Sequence, residues 1–167
     1  MPRLFVAVWP PPSVIDELAA LPRPSKPGVS WTKPHRLHIT LRFLGECDQD
    51  EALSTLEAAS FGVARATLGP APERLGRGVL MLPAAGVDEL AQSVIDCTRY
   101  IGDQPPDHPF VGHLTVARFR KRQPSVEWPR LGETFEVDEI SLVESAPWGE
   151  YLDVAKFPLH ENAGPGP

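Results

Sequence analysis

The chain has 167 residues, 42% of them hydrophobic and 23% charged, which suits one domain or two small packed lobes around a real core. Its formal net charge is −6, which argues against non-specific coating of nucleic acid but leaves room for a local basic site for one phosphate or a short RNA end. Cys47 and Cys97 supply neither a disulfide framework nor a metal knuckle. No run approaches the ~20 apolar residues of a membrane span and no signal peptide is evident, so a reduced cytoplasmic protein is the expectation.

Residues 3–9 read as a strand, apolar nearly throughout and therefore central. Residues 13–21 place Val14, Ile15, Leu18 and Leu21 at helical spacing between Pro12 and Pro22. Residues 29–33 form a short strand. Pro34-His35-Arg36 then turns the chain into an apolar strand over 37–44 that ends at Gly45. Residues 49–59 read as a helix capped by Asp48. Residues 61–68 read as a strand, because Gly62, Val63 and Thr67 weaken a helix; 69–78 read as a loop and 79–82 as a strand. The clearest helix is 87–101, with Leu90, Ala91, Val94, Ile95 and Thr98 along one face. A proline-rich loop leads to a second apolar strand over 110–119, and 121–133 is a loop. Residues 135–145 and 150–157 are two further strands around a turn at Pro147-Trp148-Gly149.

The 20 prolines cluster between elements as stiff connections. Residues 1–160 read as a single bilobal domain and 161–167 as a flexible tail. The fold class is α+β: two pseudo-symmetric lobes with mainly antiparallel sheets flanked by helices. The connections are too short for many parallel crossovers.

Two strands carry one pattern, His38-Ile39-Thr40-Leu41 and His113-Leu114-Thr115-Val116, in opposite halves of the chain. Residues two apart in a strand share a face, so each strand offers an imidazole and a hydroxyl to one side and apolar residues to a core. The two motif strands are expected to face each other across a central cleft. In-line displacement at phosphorus needs a base on the attacking oxygen and an acid on the leaving oxygen, on opposite sides. Two histidines, titrating near neutral pH, meet that need. Threonine hydroxyls can donate to non-bridging oxygens. One His-x-Thr is ordinarily a structural pair, but two copies among 5 histidines point to function. There is no His-x-x-x-His and no Cys-x-x-Cys, so neither a metal nor a cofactor is expected.

Arg42, four residues beyond His38, shares its face by parity and reads either as a phosphate ligand or as a solvent-facing charge. Phe43 reads as core rather than as a stacking platform for a base. Arg118, five residues beyond His113, falls on the wrong face unless a bulge intervenes. Arg120, Lys121 and Arg122 read as a solvated loop, with steering of RNA as the alternative. His35, His108 and His160 lack motif context, and the 4 tryptophans read as packing residues.

Arg3-Leu4-Phe5-Val6-Ala7-Val8, Leu37-His38-Ile39-Thr40-Leu41-Arg42-Phe43-Leu44-Gly45, the stretch from Pro109 through His113-Leu114-Thr115-Val116-Ala117-Arg118, and Val137-Asp138-Glu139-Ile140 together resemble the 2H phosphoesterase superfamily. They are most similar to the RNA 2′,3′-cyclic phosphodiesterases, also called 2′-5′ RNA ligases, over nearly the whole chain. The resemblance implies a bilobal fold with a pseudo-twofold axis and metal-independent opening of a terminal 2′,3′-cyclic phosphate to a 2′-phosphate. It implies His38 as proton donor, His113 as proton acceptor, Thr40 and Thr115 as phosphate-binding hydroxyls and Arg118 near the phosphate; Arg42 and Phe43 complete the expected substrate-binding set. Gly112 stands where the family commonly has proline, which implies a looser backbone before His113. Residues 69–78 transfer no substrate contacts. Reverse 2′-5′ ligation is the same site run backwards. Open alternatives are a phosphodiesterase of small cyclic nucleotides, ADP-ribose cyclic phosphate or 2′-5′ oligonucleotides, and a non-catalytic RNA-end or nucleotide binder. The expected partners are RNA termini or small cyclic nucleotides, with no membrane, no obligate protein partner and a monomeric state.

Overall fold

The computed structural model describes residues 1–161; the remainder of the expected C-terminal tail lies outside the described residues. The elements in chain order are β1 (Arg3–Val8), α1 (Pro12–Ala19), β2 (Val29–Trp31), a 3-10 turn (Pro34–Arg36), β3 (Ile39–Glu46), α2 (Gln49–Ala58), β4 (Ala64–Leu68), β5 (Glu73–Leu75), β6 (Val79–Ala85), α3 (Asp88–Cys97), β7 (His113–Phe119), β8 (Glu133–Val137), β9 (Glu139–Ser145) and β10 (Tyr151–Pro158). Among the described residues, no helix is long and apolar enough to cross a membrane.

The strands follow the order β10-β9-β1-β3-β7-β6-β4-β8, with β2 beside β7 and β5 beside β6. The named strands pair antiparallel throughout, so the α+β, two-lobed reading holds. One lobe holds β10, β9, β1 and β3; the other holds β7, β6, β4 and β8 with β2 and β5. They join where β3 meets β7, at the pair Ile39↔Leu114. The two motif strands are therefore neighbours on the floor of the cleft, not walls facing across it. The lobes also interleave along the chain, because the C-terminal β9 pairs with β1 and the N-terminal β2 pairs with β7.

β1 is apolar on both faces for two different reasons. Leu4, Val6 and Val8 enter the main core. Phe5 and Ala7 enter a smaller cluster with Val143, Trp9 and Tyr151 on the cleft side. Helix α2 starts as its sequence suggests, with the Asp48 side chain accepting from the Glu51 N–H at 3.0 Å. Helix α3 packs Leu90, Ala91 and Val94 inward but ends at Cys97 rather than at 101. Beyond it the chain turns at Gly102, φ +64°, and runs so close to the Leu44 carbonyl that a Cβ would collide with it.

Residues 135–145 form two strands, not one. The buried alternation runs through Phe135 and Val137, then shifts phase to Ile140 and Leu142. Asp138 marks the break: β8 pairs with β4 in one lobe and β9 with β1 in the other. The stretch expected as a loop, 69–78, contains β5, which forms a hairpin with β6 around Gly76. Arg74 fixes that turn by donating to the carbonyls of Gly76 and Arg77.

Ile39 and Leu114 are both 0% exposed, so removing side-chain volume there opens a cavity at the lobe junction. Ile39→Ala is expected to lose about 2–5 kcal/mol of unfolding free energy in urea melts. Leu152→Ala, at a residue 38% exposed, is expected to lose less than about 1 kcal/mol.

Candidate active site

Each motif strand carries a one-residue bulge at the same place. Against β1, Thr40 pairs with Ala7 and Arg42 with Val6, so Leu41 is the extra residue. Against β6, Thr115 pairs with Met81 and Ala117 with Leu80, so Val116 is the extra residue. A bulge reverses the two-residue alternation beyond it. Leu41 and Arg42 are consequently buried in succession, as are Val116 and Ala117. The fifth residue after each histidine, Phe43 in β3 and Arg118 in β7, returns to the cleft.

This corrects the placement of Arg42. It is 3% exposed and does not line the cleft. Its guanidinium donates to the hydroxyl and carbonyl of Thr98 and to the carbonyls of Phe43, Ile101 and Asp103. These bonds staple the end of α3, where carbonyls lack intrahelical partners and a cation is favoured. Phe43 is corrected the other way. It is 47% exposed, lines the cleft and lies parallel to Phe5 with centroids 6.1 Å apart, rather than in the core.

The cleft, of about 510 Å³, brings together His38, Thr40, His113, Thr115, Phe43 and Arg118. Antiparallel pairing at Ile39↔Leu114 sets His38 opposite Thr115 and Thr40 opposite His113. Each imidazole is fixed by the carbonyl two residues before it. Nδ1 of His38 lies 2.7 Å from the Arg36 oxygen, and Nδ1 of His113 lies 2.8 Å from the Val111 oxygen. A carbonyl only accepts, so both Nδ1 atoms carry protons, and Nε2 is the acceptor of each neutral ring. Nε2 of His38 takes the Thr40 hydroxyl at 2.9 Å.

His38 sits among Phe5, Trp9 and Tyr151, with ring centroids 5.1, 5.4 and 5.4 Å away. Burial there pushes its pKa below the usual histidine value; the bond to Arg36 opposes this, and the charges of Arg36, His113 and Arg118 add to the lowering. The backbone before His113 is held rather than loose. The Ala84 N–H donates to the Gly112 carbonyl at 2.9 Å, and a Cβ at Gly112 would collide with the Ala84 oxygen.

Among the described residues, no acidic residue lines this cleft, while Lys33, Arg36 and Arg118 do. A basic site thus exists on a chain of net charge −6. Phe5, Tyr151, Lys33 and Arg36 were not singled out by sequence reasoning. Phe5 and Tyr151 were out of its reach, because their places depend on strand pairing, β1 with β3 for the first and the distant β10-β9-β1 order for the second. Trp31 also lines the cleft, beside Trp128 at 6.2 Å. Trp148 is 68% exposed and is no packing residue. His35, His108 and His160 are not part of this cleft lining.

The LigT-like phosphoesterase family model matches residues 8–73 of the chain. An RNA 2′,3′-cyclic phosphodiesterase of Archaeoglobus fulgidus is 30% identical over 171 residues, a match covering 96% of this chain and 90% of that protein. An RNA 2′,3′-cyclic phosphodiesterase of Thermus thermophilus is 32% identical over 189 residues, covering 97% of this chain and 92% of that protein. The crystal structure of TT0787 from Thermus thermophilus has the same fold at a TM-score of 0.76, with 30% identity over 96% of this chain and 99% of that one.

Removing the Arg42 guanidinium strands several buried carbonyls at the end of α3. Arg42→Met is expected to cost about 3 kcal/mol of stability in thermal or urea unfolding. Phe43→Ala, which removes a cleft-facing ring, is expected to cost less than about 1 kcal/mol in the same assay.

Proposed function

The chain belongs to the LigT-like phosphoesterases, and from that membership and the cleft geometry we propose that it hydrolyses a terminal RNA 2′,3′-cyclic phosphate to a 2′-phosphate. The observation that carries this reading is the antiparallel pairing of two His-x-Thr strands on one floor. It supports a reading in which one histidine is the acid, the other the base and the two threonines phosphate-binding hydroxyls, as in-line displacement at phosphorus requires.

His113 takes a proton from the attacking water, whose oxygen forms the new bond to phosphorus. The bond from phosphorus to the 3′ oxygen breaks, and His38 gives its proton to that oxygen. The product carries a 2′-phosphate and a free 3′-hydroxyl. His113 ends protonated and His38 neutral, and exchange with solvent resets the pair. Thr40, Thr115 and Arg118 donate to the non-bridging oxygens, where negative charge concentrates. Thr40 donates to Nε2 of His38. A bound phosphate competes for that hydroxyl and frees Nε2 to hold the transferable proton. The negative charge of the phosphate also opposes the desolvation that lowers His38. Neither step calls on a metal. Cys47 and Cys97 are both free thiols, which supports a cytoplasmic place for the reaction.

The test uses a short RNA ending in a 2′,3′-cyclic phosphate, with EDTA present. Wild type is expected to convert it to the 2′-phosphate, and His38→Ala and His113→Ala to lose roughly 10²–10⁴-fold in rate. Absence of turnover by folded wild type would overturn the reading. The pH profile of kcat/KM, which reports the free enzyme, is expected to be bell-shaped, and because His38 is lowered its acid-side limb is expected below the ordinary histidine value of about 6.5, whichever histidine is the acid. The same limb of kcat is expected at higher pH, because bound phosphate raises the proton affinity of His38. The leaving group assigns the roles: a cyclic substrate with sulfur in place of the 3′ oxygen leaves without a proton, so it is expected to restore turnover to His38→Ala and not to His113→Ala, and the reverse would make His38 the base.

A further inference from the structure

Arg36 has a cleft position that the reaction above does not use. It closes the 3-10 turn before β3. Its carbonyl holds Nδ1 of His38, while its side chain lines the same cleft. The guanidinium lies over the Tyr151 ring, 4.3 Å from its centroid, and that ring stands perpendicular to His38 with centroids 5.4 Å apart. Among the described residues, no carboxylate forms an ion pair with Arg36. Its Nε is shut off from solvent and has no acceptor. Arg42, buried throughout, finds five acceptors in this molecule, whereas the half-buried Arg36 side chain finds none among the described residues. Stacking on Tyr151 holds the Arg36 fork in place without consuming its donors. Lys33, on the same segment, adds a second positive charge to that wall.

We propose that Arg36, assisted by Lys33, forms a second anion subsite that takes the phosphate on the 5′ side of the terminal nucleotide while the cyclic phosphate lies between the histidines. The guanidinium fork matches phosphate geometry, and Tyr151 presets its plane. Arg118 lies on β7, three residues beyond Thr115, and serves the scissile group. Arg36 lies on the segment leading into His38 and β3, against β10 of that same lobe, whereas Arg118 belongs to the other lobe. This inference rests on the proposed activity and narrows its substrate class. The preferred substrates carry two phosphates separated by one ribose, as an oligonucleotide end or a 5′-phosphorylated nucleoside cyclic phosphate does. A nucleoside 2′,3′-cyclic phosphate alone leaves the subsite empty.

Calorimetric titration with adenosine 2′-phosphate and adenosine 2′,5′-bisphosphate reads the subsite without turnover. Wild type is expected to bind the bisphosphate roughly 10- to 100-fold more tightly. Arg36→Met, which keeps an apolar stem over Tyr151, is expected to erase most of that preference, losing far more on the bisphosphate than on the monophosphate. Arg36→Lys is expected to retain part of it. Equal affinity of wild type for both ligands overturns the subsite whether or not any variant folds. So does an equal loss by Arg36→Met on both ligands, which would place Arg36 at the scissile phosphate. Hydrolysis rates on adenosine 2′,3′-cyclic phosphate and on its 5′-phosphorylated form separate the two readings. Turnover without a 5′-phosphate preference rejects the subsite and keeps the activity. A bisphosphate preference in binding without turnover of any RNA end rejects the activity and keeps the subsite.

Discussion

Ile39 and Leu114 form the pair on which the site depends. Antiparallel neighbours are related by a local twofold axis, so one four-residue pattern written on both strands yields each histidine opposite the other strand's threonine. No parallel arrangement of the same motifs would do this. On either side of the pair the two strands part, β3 to run beside β1 and β7 to run beside β6. That divergence creates the volume of the cleft. The close contact beneath it keeps the two imidazoles on a common floor. Both residues of the pair are fully buried, so the hydrophobic effect that holds the lobes together also sets the spacing of the reactive groups.

The paired bulges then decide which neighbours share the cleft. Strand parity points to Arg42 and away from Arg118, and it errs in both strands for one reason. It assumes an unbroken pleat, whereas the extra residues Leu41 and Val116 shift the ladder. Bulges are properties of hydrogen bonding to a partner strand, and in the first strand nothing local to His38 announces one. The adjacent apolar pair Val116-Ala117 hints at it in the second. What local chemistry does specify was legible: the repeated motif, the two-faced apolar β1, the Asp48 cap and the inward face of α3. What depends on distant pairing was not. The division of 135–145 between two lobes, the β5 hairpin and the arrival of Tyr151 beside His38 all follow from strand order.

Charge in this molecule is organised by place rather than by total. The chain is acidic overall, yet Lys33, Arg36 and Arg118 line a cleft that holds no carboxylate among the described residues. Field lines from such a cluster are focused by the low-dielectric walls around it. Arg36 and Arg118 also act on His38, adding to the effect of its aromatic surroundings. These surroundings therefore disfavour a further positive charge on the imidazole, and an arriving phosphate relieves the penalty. Anion binding and protonation of His38 are thermodynamically linked.

The carbonyl that fixes each imidazole belongs to the residue two positions earlier in its own chain segment, Arg36 for His38 and Val111 for His113. Many catalytic histidines are oriented instead by a carboxylate brought in from elsewhere in the fold. Here the tautomer is written into the local backbone of each strand, so it travels with the strand. Any displacement of one lobe against the other would leave each proton on the same nitrogen, because neither tautomer relies on a residue, or on a buried acid, held in register from across the lobe junction.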